Sequence, residues 1–163
     1  MKRRLAIPGD EVIKYLKDLI DANIQVQPAG VDLTLRSVFR FTSAGYVGFD
    51  EKELPKVEEI RPENGIWTLP PGAYKIMYNE IIEVPRDSIG LAFPRSTLLR
   101  LGVDIRCAIW DPGYKGRSVS LLIVHNPYGV KLKEGARIAQ LIFIKLVRKP
   151  NKVYRGEYYL ENM

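Results

Sequence analysis

Apolar residues near the start of the chain recur at the spacing of one helix face. Between residues 10 and 21 charged residues alternate with an apolar stripe formed by Val12, Ile13, Leu16, Leu19 and Ile20. This period predicts an amphipathic N-terminal helix over residues 10–21, packed on the outside of the domain. Asp10, which follows Pro8 and Gly9, is the candidate N-cap.

After this segment the hydrophobic period becomes two, the repeat of a strand with one buried face. Val31, Leu33 and Leu35 begin the pattern. Further short strands are predicted at residues 38–42, 66–69, 73–78, 81–84, 88–93, 103–109, 118–125 and 138–147, with turn-forming residues between them. Many short strands and one long helix predict a mainly β protein, built as a sandwich or a barrel.

Two stretches depart from this regular pattern. Residues 43–63 are acidic and contain proline, which predicts a surface excursion. The strand 138–147 is apolar on both faces, so we expect it to be buried on both sides or to lie at a subunit interface. No internal repeat or linker divides the chain. We therefore predict one domain over residues 1–163, with a C-terminal tail from about residue 150 to residue 163.

Composition narrows the function classes. The chain has 163 residues, and 46% of them are hydrophobic, which indicates a globular protein. Its net charge of +6 favours an anionic partner. Its basic residues form no stripe with interleaved aromatics, which disfavours a nucleic-acid partner. One cysteine and one histidine exclude an internal disulfide and disfavour zinc. No apolar run approaches the ~18 residues of a membrane span, so we expect a cytoplasmic protein without a membrane partner.

The segment 94–102 combines helix signals with positive charge. It predicts a short helix near residues 96–101, with Ser96 as N-cap and Gly102 at the position after the helix. Free N–H groups at a helix start, beside Arg95 and the Ser96 hydroxyl, form an anion site. Arg100, one turn further on, adds a second charge. The alternative is a structural cap whose arginine is solvated.

The turn 111–116 follows an apolar run. Asp111 ends that run, so a partly desolvated carboxylate is placed there to orient and deprotonate a water molecule. Tyr114 offers a flat face for a sugar or a base. The alternative is that Asp, Pro and Gly merely form a turn.

Two polar residues interrupt the strands. Asp32 projects from the polar side of its strand, and Gly30 allows a close approach of the chain. A carboxylate can hold Mg²⁺ through water, because Mg²⁺ keeps several waters and takes substrate phosphates as ligands. The alternative is a solvent-facing strand residue. Gln140 is the one polar residue inside a long apolar strand, and it needs partners from the protein or from a ligand.

Four segments in this order resemble the motifs of the dUTPase and dCTP deaminase superfamily. They are GVDL at 30–33, PRSTL at 94–98, IWDPGYKG at 109–116 and GARIAQL at 135–141. The stretches QPAGVDL at 27–33 and LPPG at 69–72 are similar to the deaminase-like branch. The resemblance implies a jelly-roll-like or distorted β-barrel subunit of the trimeric dUTPase type. It also implies a homotrimer with active sites between subunits.

The resemblance implies a role for each phosphate-side residue. Asp111 would orient the water that attacks the α-phosphorus. Arg95, Ser96 and Gln140 would bind the phosphates, and Asp32 would support a Mg²⁺–triphosphate through water.

On the nucleoside side, Tyr114 would pack on the deoxyribose and disfavour a 2′-hydroxyl. The base would be read mainly by backbone groups of the hairpin that contains Ile109 and Trp110. Arg155 and Tyr158 are the candidates in the tail for closing the site.

One departure from the family pattern decides between activities. Deaminases of this family need a glutamate on the strand after the third motif, where this chain has Leu122 or Ile123, and no Asp or Glu lies between Asp111 and Glu134. An aliphatic side chain cannot transfer protons, so the leading hypothesis is a dUTP diphosphatase that forms dUMP and diphosphate. The alternatives are a dCTP deaminase or bifunctional enzyme with an unrecognised acid, and a non-catalytic nucleotide-binding protein.

Overall fold

The computed structural model describes residues 5–163, and strands dominate it. The strands are β1 (Ala6–Ile7), β2 (Leu16–Lys17), β3 (Val26–Gln27), β4 (Gly30–Phe41), β5 (Tyr46–Val47), β6 (Lys52–Glu53), β7 (Val57–Ile60), β8 (Ile66–Leu69), β9 (Gly72–Tyr78), β10 (Ile81–Glu83), β11 (Ser88–Pro94), β12 (Val103–Arg106), β13 (Lys115–Gly116), β14 (Val119–Val124), β15 (Val130–Lys133) and β16 (Arg137–Lys145). The helices are α1 (Gly9–Val12), a 3₁₀ turn (Ile13–Tyr15), α2 (Ala22–Gln25) and α3 (Ser96–Arg100).

Within residues 5–163 the largest sheet has nine strands, all antiparallel to their neighbours. Six of these strands follow one another in the order β1-β16-β4-β9-β14-β12. In addition, β11 pairs with β16, and β3 and β7 pair with β4. The long strand β4 pairs with β16 through its first residues and with β9 through its later ones, with a register shift after Leu35. Such a shift bends the strand, so the sheet curls around one core and the mainly β, barrel-like prediction is confirmed.

The first half of β4 is buried on both faces. Val31, Leu33 and Leu35 are 0% exposed, as the period of two predicts, but Asp32 and Thr34 are only 1% exposed. The prediction of one buried face is therefore wrong here, because polar partners cover the second face. In β16, Leu141 and Phe143 are fully buried, whereas Ile142 and Ile144 are half-buried.

The predicted helix over residues 10–21 is wrong beyond its first turn. The chain leaves the helical turn after Tyr15, and Leu16 and Lys17 pair with β10 instead. This pairing buries Leu16 against the core and leaves Ile20 at 61% exposure, so burial overrides the helical period. Asp10 is not an N-cap, since Pro8 occupies that position. Asp21 caps α2 by accepting from the Asn23 backbone N–H at 2.9 Å.

Other boundaries also shift. The segment predicted as a surface excursion contains the exposed hairpin β5–β6 and the strand β7, which pairs with β4. The strand predicted at residues 103–109 ends at Arg106. The short helix is confirmed as α3, although Arg95 rather than Ser96 is its N-cap residue, and Gly102 follows it with φ +73° as predicted. No helix in the described part of the chain is long and apolar enough to cross a membrane.

Candidate functional site

An ion-paired group, which we call the arginine cluster, consists of Asp32, Arg95 and Arg137. One oxygen of Asp32, Oδ2, lies 3.0 Å from Arg95 Nε in an ion pair and accepts a hydrogen bond from Arg137 Nη1 at 3.2 Å. Burial raises the pKa of the Asp32 carboxyl and outweighs the two arginines, which lower it. Asp32 is thus neither solvent-facing nor a lone carboxylate. The sequence analysis did not single out Arg137, although it lies in the fourth motif.

Close strand packing brings this cluster together. A Cβ at Gly30 would lie 2.0 Å from the Leu141 carbonyl oxygen, so only glycine allows β4 and β16 to meet there, as predicted. The register then places Arg137 opposite Thr34 and Gln140 opposite Asp32. Gln140 is half-buried and also faces Phe93 of β11, which leads directly to Arg95.

Behind the cluster, the carboxylate of Glu80 is fully buried without an arginine or lysine within bonding distance in residues 5–163. Its Oε1 accepts from Gln25 Nε2 at 2.7 Å and Thr34 Oγ1 at 2.6 Å, and its Oε2 accepts from the Thr34 backbone N–H at 2.9 Å. Burial raises its pKa. Because Gln25 Nε2 also donates to the Asp32 carbonyl oxygen at 2.8 Å, this network fixes the backbone of Asp32.

The remaining predicted phosphate ligands lie on α3. Ser96 and Arg100 are exposed, and Arg100 Nη1 donates to the Ser96 carbonyl oxygen at 3.0 Å. Ser96 follows Arg95 directly in the chain. The structure therefore places four predicted phosphate-side residues, Arg95, Ser96, Gln140 and Asp32, in one neighbourhood, with Arg100 one turn further along α3.

A second group, the aromatic cleft, is formed by Ile109, Trp110, Asp111 and Tyr114 together with the tail. Its volume is about 260 Å³. Trp110 is 6% exposed, donates from Nε1 to Ser118 Oγ at 2.7 Å, and forms a bridge with Gly90. Asp111 is exposed, which corrects the expectation of a partly desolvated carboxylate. The third motif thus delivers its predicted residues to one cavity.

The tail covers Tyr114. The ring is only 4% exposed, its hydroxyl donates to Glu161 Oε1 at 2.7 Å, and the Tyr154 ring lies 5.9 Å away. Burial raises the pKa of the Tyr114 hydroxyl, and the Glu161 carboxylate raises it further. Burial likewise raises the pKa of Glu161. The sequence analysis missed Glu161 and Tyr154, because no local pattern connects the tail with the third motif.

The two tail residues predicted to close the site both lie beside the aromatic cleft. Arg155 Nη1 donates to the Gly113 carbonyl oxygen at 3.1 Å, and its guanidinium stacks 4.3 Å from the Tyr159 ring centre. Tyr158 lines the cleft, and its hydroxyl accepts from Lys52 Nζ at 3.1 Å.

Within one chain the arginine cluster and the aromatic cleft lie apart. Trp110 meets β11 at Gly90, and Arg95 follows five residues later, a distance of about 16 Å along a strand. Arg95, Ser96 and Gln140 do not line the aromatic cleft. The structure therefore brings the predicted residues into two groups rather than one.

The position expected to carry a deaminase glutamate holds no acid. Leu122 is 0% exposed in the core, and Ile123 is half-buried opposite Asp104. The carboxylates that line the aromatic cleft are Asp111 and Glu161. Across residues 5–163, no group of three or more His, Cys, Asp and Glu side chains forms a metal site.

Comparison with known proteins assigns the family. The model of the dCTP deaminase-like family matches residues 6–146. The chain belongs to the dCTP deaminase-like family. A relative from Aeropyrum pernix is 42% identical over 87% of this chain and 89% of its own length, and one from Archaeoglobus fulgidus is 42% identical over 96% and 97%. Both carry the name probable deoxyuridine 5′-triphosphate nucleotidohydrolase.

A solved dCTP deaminase from Agrobacterium tumefaciens shares the fold of this family member. The TM-score is 0.68 at 20% identity, over 86% of this chain. The chain spans about half of that deaminase, 48% of its length. The family match ends before the tail, so the contacts of residues 147–163 are not part of it.

Proposed function

We propose that this family member is a dUTP diphosphatase, which hydrolyses dUTP to dUMP and diphosphate by attack of water on the α-phosphorus. The observation that carries the proposal is the exposed carboxylate of Asp111 at an aromatic cleft, in a chain 42% identical to relatives named for this activity. Asp111 is accessible to water and acts as the general base that orients and deprotonates it. Deamination lacks the acid that it needs, because positions 122 and 123 hold the aliphatic residues Leu122 and Ile123.

The phosphate side of the site is assigned to Arg95, Ser96 and Gln140, with Arg100 as a more distant positive charge. Arg95 approaches Asp32 most closely with Nε, and neither of its terminal nitrogens has a hydrogen-bond partner among residues 5–163, so both remain available for a phosphate. Positioning and charge neutralisation provide most of the rate enhancement of phosphoryl chemistry. Asp32 then acts mainly by holding the guanidinium in place.

The nucleoside side is assigned to the aromatic cleft. Tyr114 forms the surface against which the deoxyribose packs, and backbone groups around Ile109 and Trp110 read the base. Tyr158 lines the tail side of the same cavity, and Arg155 lies beside it at Gly113. The cleft of about 260 Å³ is close to the lower end of small-molecule pockets, about 300 Å³, which suits a nucleoside better than a whole triphosphate.

The two halves meet in a homotrimer, where the arginine cluster of one subunit faces the aromatic cleft of the next. Their separation in one chain supports this arrangement. Light scattering should give three times the chain mass of 18.6 kDa. Arg95→Ala and Asp111→Asn variants, each inactive alone, should regain activity when co-expressed, because about a quarter of the shared sites carry both native residues. A site contained within one chain would regain none.

Mg²⁺ enters this proposal together with the substrate. The donor set near the arginine cluster is a single carboxylate that already holds two arginines, which suits a metal bound mainly by phosphates and water. Asp32 would hold it through water, and the ion would neutralise phosphate charge. Chelation should abolish turnover yet leave the melting temperature unchanged. A lower melting temperature after chelation would indicate a resident metal instead.

A paired assay tests the activity itself. Purified protein with Mg²⁺ receives dUTP in one reaction and dCTP in the other, and diphosphate and ammonia are measured separately. We expect diphosphate from dUTP and no ammonia from dCTP. Ammonia would support the deaminase alternative, and nucleotide binding without any product would support the non-catalytic one.

A further inference from the structure

Glu161 lies in a part of the tail that is hydrogen-bonded to the segment around β13. The Leu160 backbone N–H donates to the Lys115 carbonyl oxygen at 2.7 Å, and the Arg117 backbone N–H donates to the Glu161 carbonyl oxygen at 3.0 Å. The next residue adds a side-chain bond, from Asn162 Nδ2 to the Arg117 carbonyl oxygen at 2.9 Å. These bonds attach the turns of the tail end to β13 and to Arg117, and they hold the Glu161 backbone at the cleft wall.

The side chain of Glu161 is only partly satisfied. Oε1 accepts from the Tyr114 hydroxyl at 2.7 Å, whereas Oε2 has no hydrogen-bond partner among residues 5–163. Glu161 is half-buried and lines the aromatic cleft. An ionised carboxylate only accepts hydrogen bonds, so a ligand that meets this wall needs a donor there. A phosphate cannot supply one, and its charge is repelled.

We propose that Glu161 is a specificity-determining residue, whose free carboxylate oxygen accepts a hydrogen bond from a neutral donor of the substrate nucleoside. The donor is the 3′-hydroxyl of the sugar or the N3–H of uracil. This inference rests on the proposed function of the cleft as the nucleoside half-site. The Glu161 carboxylate also repels the triphosphate from the cleft. Where N3–H is the donor, Glu161 rejects cytosine, because N3 of cytosine is an acceptor.

The test is the dissociation constant of a non-hydrolysable dUTP analogue with an imido group between the α- and β-phosphorus. Glu161→Ala should weaken binding about tenfold or more, the usual effect of losing a hydrogen bond to a charged group. Glu157→Gln is the matched control, since Glu157 is an exposed tail carboxylate paired with Lys52 away from the cleft lining. We expect a change below about twofold for it.

Two further analogues identify the donor and separate recognition from mere support of the fold. In the 2′,3′-dideoxy analogue the sugar donor is missing, and in the corresponding dCTP analogue N3 carries no hydrogen. The weaker binding caused by Glu161→Ala should disappear with the dideoxy analogue if the 3′-hydroxyl is the donor, and with the dCTP analogue if N3–H is the donor. An equal effect with all three analogues would overturn the inference, because a structural role does not depend on the ligand.

Tighter binding by Glu161→Ala would also overturn it, since the tail would then be a competitor of the nucleotide. Failure of the cleft as a nucleoside site gives a different result, namely no binding of the dUTP analogue by the unmodified chain. Native binding that is unaffected by Glu161→Ala would refute the role of Glu161 alone. The three results are therefore distinct.

Discussion

The arginine cluster and the aromatic cleft both bury a polar side chain, but the groups that surround this side chain differ between the two regions. In the cluster a carboxylate that is 1% exposed is held by two cationic side chains, Arg137 of β16 and Arg95 directly after β11. In the cleft a tyrosine that is 4% exposed is covered by a tail that lies outside the family match. The cluster therefore depends on charge and lies within the family match, whereas the cleft depends on aromatic packing and on the tail beyond that match.

Asp111→Asn should break the chemistry of the cleft without affecting the cluster. Turnover of dUTP should fall about 10²–10⁴-fold, the range for loss of a general base, while the protein stays folded because Asp111 is exposed. Steady-state kinetics and a melting curve check both halves of this expectation. Near-normal turnover would remove Asp111 from the mechanism, and Asp50→Asn, in an exposed turn, serves as the control.

Asp32→Ala should break the cluster and leave the cleft intact. It leaves two guanidinium groups facing each other, and the free energy of unfolding should fall by about 2–3 kcal/mol, a value reduced because each arginine is about a third exposed. Denaturant unfolding measures it. Glu58→Ala, which breaks the exposed Arg40 pair, should cost less than about 1 kcal/mol. Equal losses would mean that burial contributes nothing to the cluster.

The buried carboxylate of Glu80 should make the support of the cluster sensitive to pH. Its raised pKa means that the folded state binds protons more tightly than the unfolded one, so stability is highest at low pH and falls as pH rises from about 4.5 through the raised value. Glu80→Gln should reduce this fall, by about 1.4 kcal/mol for each unit of pKa difference.

Melting curves between pH 4 and pH 8 compare the native chain with Glu80→Gln. Asp32 and Glu161, whose pKa values are also raised, act in the same direction and remain in both proteins. Parallel curves for the two proteins would show that Glu80 does not carry the effect.

Tyr114→Phe should give the smallest change in stability among these variants of buried residues, and its effect should be confined to the aromatic cleft and the tail. It removes the hydroxyl that donates to Glu161 at 2.7 Å, and the expected loss of stability is about 1 kcal/mol. Hydrogen exchange of the tail should rise while that of β4 and β16 stays constant. Tyr74→Phe, which removes a hydroxyl bonded to the Pro70 carbonyl oxygen, is the control and should not affect the tail.

Local regularities made part of the molecule predictable from sequence. Strand periodicity located the strands that build the curled sheet, and Gly102 marked the end of α3 because its φ of +73° favours glycine. The third motif is equally local, so Trp110, Asp111 and Tyr114 reach one cleft from a single hairpin. The helix over residues 10–21 failed because Leu16 gains more from packing beside β10 than from continuing a helix.

The sequence by itself determined the strand pattern, the motif residues and the missing deaminase acid, because each depends on residues close together in the chain. Only the tertiary structure decided that Asp32 holds Arg95 and Arg137, since three strands must pair in register before those side chains meet. It also decided that Glu161 shares a hydrogen bond with Tyr114, a contact across 47 positions. Contacts of this range depend on the closure of the whole sheet, which no local pattern encodes.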